Sequence, residues 1–90
     1  MAKARKRANY YWLGYITAKG ISLMRYENGK GSSRYRSHLQ ICSDMLGAIE
    51  HGQWEATGMP DVSDLAPMPS AYDNAMYWRG AVRYLRYIVY

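Results

Sequence analysis

Ninety residues suffice for one small domain and leave no room for a second. With ten Tyr, three Trp, no Phe and 49% apolar residues, the chain is too apolar for disorder, and its one Cys excludes an internal disulfide framework. The net charge of +5 is segregated: residues 1–36 carry +8, residues 37–73 carry −6, and residues 74–90 carry +3.

A lone thiol fits a reducing cytoplasm, which is the expected location. The longest uninterrupted apolar runs are four residues, far short of a membrane span. The basic run at residues 3–7 is followed by a stretch rich in Tyr and Trp rather than Leu and Ala, so no signal peptide is expected.

In chain order, residues 1–9 read as a basic N-terminal arm and residues 10–90 as one domain. Residues 10–17 and 21–27, rich in aromatic and β-branched side chains, predict two strands. Ala18-Lys19-Gly20 between them fits a three-residue hairpin loop with Gly20 at positive φ. Alternation then puts Tyr11, Leu13, Tyr15, Ile21 and Leu23 on one face. Tyr10, Trp12, Ile16, Met24 and Tyr26 fall on the other, with Trp12 across from Tyr26. A five-residue turn at Asn28-Gly29-Lys30-Gly31-Ser32 leads to a short third strand. It turns Tyr35 inward and sets Arg34 and Arg36 beside Trp12 and Tyr26.

Ser37 and Gln40 have the spacing of a capping box, and Leu39, Cys42, Met45, Leu46 and Ile49 follow at helical intervals until Gly52 supplies the stop. Residues 53–69 hold all three prolines and predict a connector, pinned by Trp54 and Leu65, with a turn near residues 61–65 capped by Asp61 and Asp64. Ser70 and Asp73 then cap a helix over residues 71–89. Its apolar stripe is Ala75, Trp78, Val82, Leu85 and Val89, widened by Tyr77, Ala81, Tyr84 and Ile88. The expected fold is α+β: an antiparallel three-stranded sheet followed by two helices packed on it.

Chemistry has little to work with. His38 and Cys42 stand one helical turn apart, a spacing that can bring imidazole and thiol together, but Cys42 lies on the apolar stripe and reads as a small hydrophobe. Two His and one Cys do not assemble a metal site. Gly29-Lys30-Gly31-Ser32 lacks the first Gly of a phosphate loop and precedes no helix start of its own. The expectation is a protein without catalytic residues, cofactor or metal.

Binding is the stronger reading. Three groups of residues carry it: the arm with Lys3, Arg5, Lys6 and Arg7; the sheet face with Trp12, Tyr26, Arg34 and Arg36; and the last helix. There Arg79, Arg83 and Arg86 fall within about 60° of arc, interleaved with Tyr72, Tyr87 and Tyr90. Arginine forks suit phosphates and tyrosine rings suit base stacking. The leading expectation is docking on nucleic acid or a nucleoprotein complex. The alternative is an inhibitor or adaptor that uses the same Arg/Tyr face against an acidic protein surface. In size and absence of motifs, though in no residue pattern, the chain resembles phage-encoded blockers of host defence, anti-CRISPR proteins among them. The opposed charge blocks also make a homodimer an expectation.

Overall fold

The computed structural model describes residues 9–90, and the arm residues Lys3, Arg5, Lys6 and Arg7 lie outside them. Three α-helices follow one another: α1 (Tyr10–Gly29), α2 (His38–Glu50) and α3 (Ala71–Val89). Two short 3-10 turns, Trp54–Thr57 and Val62–Asp64, lie between α2 and α3, and no strand occurs among the described residues. The expected α+β fold with its three-stranded sheet is therefore overturned. The two expected strands and their hairpin loop are one continuous helix, and the expected third strand is the irregular link from α1 to α2.

The reason is tertiary. Tyr, Trp and Ile favour strands only where a pleated surface is there to pack them. Here Gly14, Ala18 and Ser22 recur every fourth residue, which a helix gathers into one narrow seam, and all three are buried. The side chain of Asn9 accepts from the Trp12 amide at 2.9 Å and starts the helix. Gly20 remains inside it, with open space around its α-carbon.

The seam is where α3 packs. A β-carbon built on Gly14 would lie 1.7 Å from the Tyr77 carbonyl oxygen, and one on Gly80 would lie 1.8 Å from the Tyr11 carbonyl oxygen. Each helix thus supplies the glycine that admits the other's backbone. Gly14 and Gly80 mark the crossing point, and beyond it toward the C-terminal end of α1 Ser22 meets Tyr84, which lies beyond Gly80 toward the C-terminal end of α3, so the two helices run in the same direction.

This contact also turns α3 from its expected seat. Its buried residues are Asp73, Tyr77, Gly80, Ala81, Tyr84 and Leu85, while Trp78, Val82, Ile88 and Val89 are only partly covered and Ala75 is exposed. The buried stripe is rotated by roughly a third of a turn from the most apolar one. Close backbone approach at Gly80, with Ala81 buried beside it, outweighs the coverage that Val82 and Val89 would have gained.

The helix ends follow local chemistry more closely. Ser37 Oγ accepts from the Gln40 amide as the spacing predicts, but the Gln40 side chain donates to Asp44 Oδ1 at 2.9 Å instead of closing the box. Gly52 ends α2 at φ +71. At α3 both halves of the box form: the Asp73 amide donates to Ser70 Oγ at 3.1 Å and the Ser70 amide to Asp73 Oδ2 at 3.0 Å.

α2 contributes Ile41, Cys42, Met45, Leu46 and Ile49 to the core, whereas Leu39 is exposed. The connector is anchored by Met59 and Val62 rather than by Leu65, which stays exposed. Its Pro60 carbonyl accepts from the Tyr77 hydroxyl at 2.7 Å. Asp61 makes no side-chain cap bond to the turn it precedes, contrary to expectation.

Candidate binding surface

α3 presents the stripe that the sequence predicts. Tyr72, Tyr87 and Tyr90 are 66%, 72% and 83% exposed, and Arg79, Arg83 and Arg86 are exposed among them. Their spacing puts all six within a band of about 100° along the helix. Among the described residues no carboxylate approaches any of the three guanidinium groups to salt-bridge distance. The Arg86 guanidinium carbon sits 5.2 Å from the centroid of the Tyr90 ring, an arrangement that positions the ring without neutralising the charge.

Beside the stripe runs a shallow groove between α1 and α3, lined by Tyr11, Ala75, Trp78, Arg79, Val82 and Arg83. Four of these line an apolar floor and two are cations at its rim. The groove exists because the Gly14 and Gly80 seam draws the helices together on one side of their contact. Sequence reasoning missed Tyr11, Trp78 and Val82 as site residues. The recurrence of Gly14, Ala18 and Ser22 was the signal that could have found them.

The second expected surface does not form. Trp12 and Tyr26 lie on one helix, about 21 Å apart along its axis, rather than across a sheet. Trp12 stacks on Tyr15, with centroids 5.2 Å apart and planes at 13°, while Tyr26 packs against Tyr35 and His38. The Arg36 guanidinium is paired with the Asp44 carboxylate of α2, so it is not free for a ligand. Arg34 is an exposed residue of the link between α1 and α2. As a joint platform, Trp12, Tyr26, Arg34 and Arg36 are excluded, since the sheet that would have gathered them is absent.

His38 and Cys42 do come together, in a polar knot that joins all three helices. Ser22 Oγ donates to the Lys19 carbonyl at 2.9 Å and lies 2.9 Å from His38 Nε2. The Tyr84 hydroxyl is 3.4 Å from each of them, and Cys42 Sγ is 3.6 Å from His38 Nε2. Ser22 Oγ, His38 Nε2 and the Tyr84 hydroxyl thus bond to one another as well as to the Lys19 carbonyl, so the imidazole nitrogen nearest the thiol is already held in a closed network. Burial pushes the Cys42 thiol up from its ordinary pKa, with the Ser22 hydroxyl pulling the other way. Burial likewise raises the Tyr84 phenol. The knot is a satisfied core network, and no buried side-chain nitrogen or oxygen among the described residues lacks a partner.

Among the described residues no three His, Cys, Asp or Glu side chains gather as metal ligands, and no helix is long and apolar enough to cross a membrane. Comparison with protein-family models, curated proteins and solved structures finds no match for the chain.

Proposed function

We propose that the protein is a non-catalytic binding protein that docks the outer face of α3 on nucleic acid or a nucleoprotein complex, acting in the cytoplasm. The observation that carries this reading is the set of three exposed arginines that have no carboxylate partner among the described residues, spread over roughly 10 Å of one helix face. Cations left unpaired at this density favour a polyanion, because each phosphate they neutralise releases condensed counterions. Tyr72, Tyr87 and Tyr90 offer ring faces for unpaired bases or sugar edges. Lys3, Arg5, Lys6 and Arg7 add four charges of the same sign to steer the encounter.

A second reading rests on the groove. Its floor of Tyr11, Ala75, Trp78 and Val82 with Arg79 and Arg83 at the rim suits an acidic, partly apolar protein segment, as an inhibitor or adaptor would engage. Either reading accommodates a homodimer through the acidic middle of the chain.

The test is binding to single- and double-stranded DNA and RNA across a salt series. The nucleic-acid reading predicts co-purified nucleic acid at low salt and an affinity slope that flattens by about 0.9 for each arginine contact removed on duplex DNA. Absence of binding at about 50 mM salt, where phosphate contacts are strongest, rejects it.

A further inference from the structure

We infer that the protein carries a separate site for an organic cation, in the cavity where the connector crosses the first half of α3. The cavity has a volume of about 470 Å³ and is lined by Trp54, Glu55, Met59, Asp61, Asn74 and Trp78. It lies on the far side of Trp78 from the basic groove, so one indole divides two sites of opposite sign.

The indoles of Trp54 and Trp78 have ring centroids 4.8 Å apart with planes at 50°. Two tilted faces meeting in this way form an open corner rather than a closed stack. The corner is held by structure on both sides: Met59 is buried behind it, and Pro60 is tied to Tyr77 by the 2.7 Å hydrogen bond. Glu55 stands in the first turn of Trp54–Thr57, next to Trp54, and Asp61 precedes Val62–Asp64. Neither carboxylate forms a salt bridge among the described residues, and the Asp61 side chain is not used as a cap.

This lining selects a class of ligand. Aromatic faces attract a cation through their quadrupole, and they favour one whose charge is spread over methyl groups or a guanidinium plane. Two carboxylates in a chain of net charge +5 add a local negative field at that corner. A calcium ion would need six to eight oxygens, which this site lacks, and an indole wall gives a hydrated metal nothing to coordinate. Quaternary ammonium and guanidinium groups fit on all three counts. They are available as free small molecules or as methylated lysine and arginine side chains of a polypeptide.

The experiment is titration of the isotopically labelled chain with choline, with 3,3-dimethylbutan-1-ol as its neutral isostere, and with short peptides bearing one trimethyllysine or one arginine. The three indole N–H signals are followed. Choline or a cationic peptide should shift the Trp54 and Trp78 signals and leave Trp12 in place, and the neutral isostere should shift none. Response to choline identifies a free small cation, and response to the peptides alone identifies a side chain. The isosteric variants Glu55→Gln and Asp61→Asn should each weaken binding by about tenfold, and Trp54→Leu should abolish it. Amide spectra of these exposed-site variants report whether the fold is retained. The site is overturned if choline and both peptides leave Trp54 and Trp78 unmoved. It is equally overturned if the neutral isostere shifts them as far, or if Trp12 moves with them. Neither result bears on the α3 arginines, so this site and the nucleic-acid reading fail separately.

Discussion

Gly14 and Tyr77 meet backbone to backbone: the hydrogen where a side chain would start on Gly14 points at the Tyr77 carbonyl, with only 1.7 Å available for a carbon. The reciprocal contact of Gly80 on Tyr11 makes this a matched pair. Backbone on both sides cannot swing away as a side chain could. Gly14→Ala and Gly80→Ala are each expected to destabilise the fold by about 3 kcal/mol, at the upper end of overpacking costs. Gly20→Ala, where nothing lies within 4 Å, should instead stabilise α1 by about 0.5–1 kcal/mol. Urea denaturation of the three variants checks the contrast.

Alkaline pH should unfold the protein through Tyr77. Burial pushes its phenol up to about 12, the Asp61 carboxylate adding to the rise and the Thr17 hydroxyl opposing it. A raised folded pKa in an acid means that the folded state holds its proton longer than the unfolded chain does. Its contribution is therefore complete below about pH 10, the unfolded value, and is lost between about 10 and 12. Up to about 2 kcal/mol of stability disappears over that window. Tyr77→Phe should flatten the alkaline limb while leaving the Pro60 carbonyl without its donor, a cost of about 1–2 kcal/mol at neutral pH. Circular dichroism melts across this range read both effects.

Cys42 should be slow toward thiol reagents. It is fully buried with its thiol held neutral, so modification by a disulfide reagent requires the knot to open. The expected rate follows the opening equilibrium and rises in step with destabilisation by Ser22→Ala. That variant removes the shortest contact of His38 Nε2 and leaves it and the Tyr84 hydroxyl only their longer contact with each other, at a cost of about 1–2 kcal/mol. A fast, stoichiometric reaction of the native protein would contradict the assignment.

The outer face of α3 separates its two readings by residue type. If phosphates are the ligand, Arg79→Glu and Arg83→Glu should weaken binding at low salt far more than Tyr87→Ala or Tyr90→Ala. If a protein surface is the ligand, the tyrosine changes should cost as much as the arginine changes, about 1–2 kcal/mol each. Competitive binding assays with the four single variants decide between them.

Much of the chain from Ser37 onward was legible in sequence. Ser37, Gly52, Ser70 and Asp73 act through bonds to residues a few positions away, so their roles survive without knowledge of the fold. The Arg/Tyr stripe of α3 was legible for the same reason, since helical spacing alone gathers it. The segment before Ser37 was not. Alternating aromatics in residues 10–17 carry a strand pattern, and only a partner some sixty positions distant decides otherwise. The seat of α3 was misjudged likewise, because Gly80 has no side chain to score in an apolar stripe yet governs which side closes on α1. Trp54 was expected to serve the core, whereas its ring leans on Trp78 at the surface.

The shared direction of α1 and α3 has a consequence for how the chain comes together. Helices that run the same way cannot be joined by a tight turn, so α2 and the proline-bearing connector act as the return stroke between them. The tightest seam in the molecule therefore closes the longest loop, and the entropy of that closure must be met before any of its packing is gained. During synthesis the Gly14, Ala18 and Ser22 furrow is complete long before Tyr77, Gly80 and Tyr84 exist to fill it. The first helix made waits for the last.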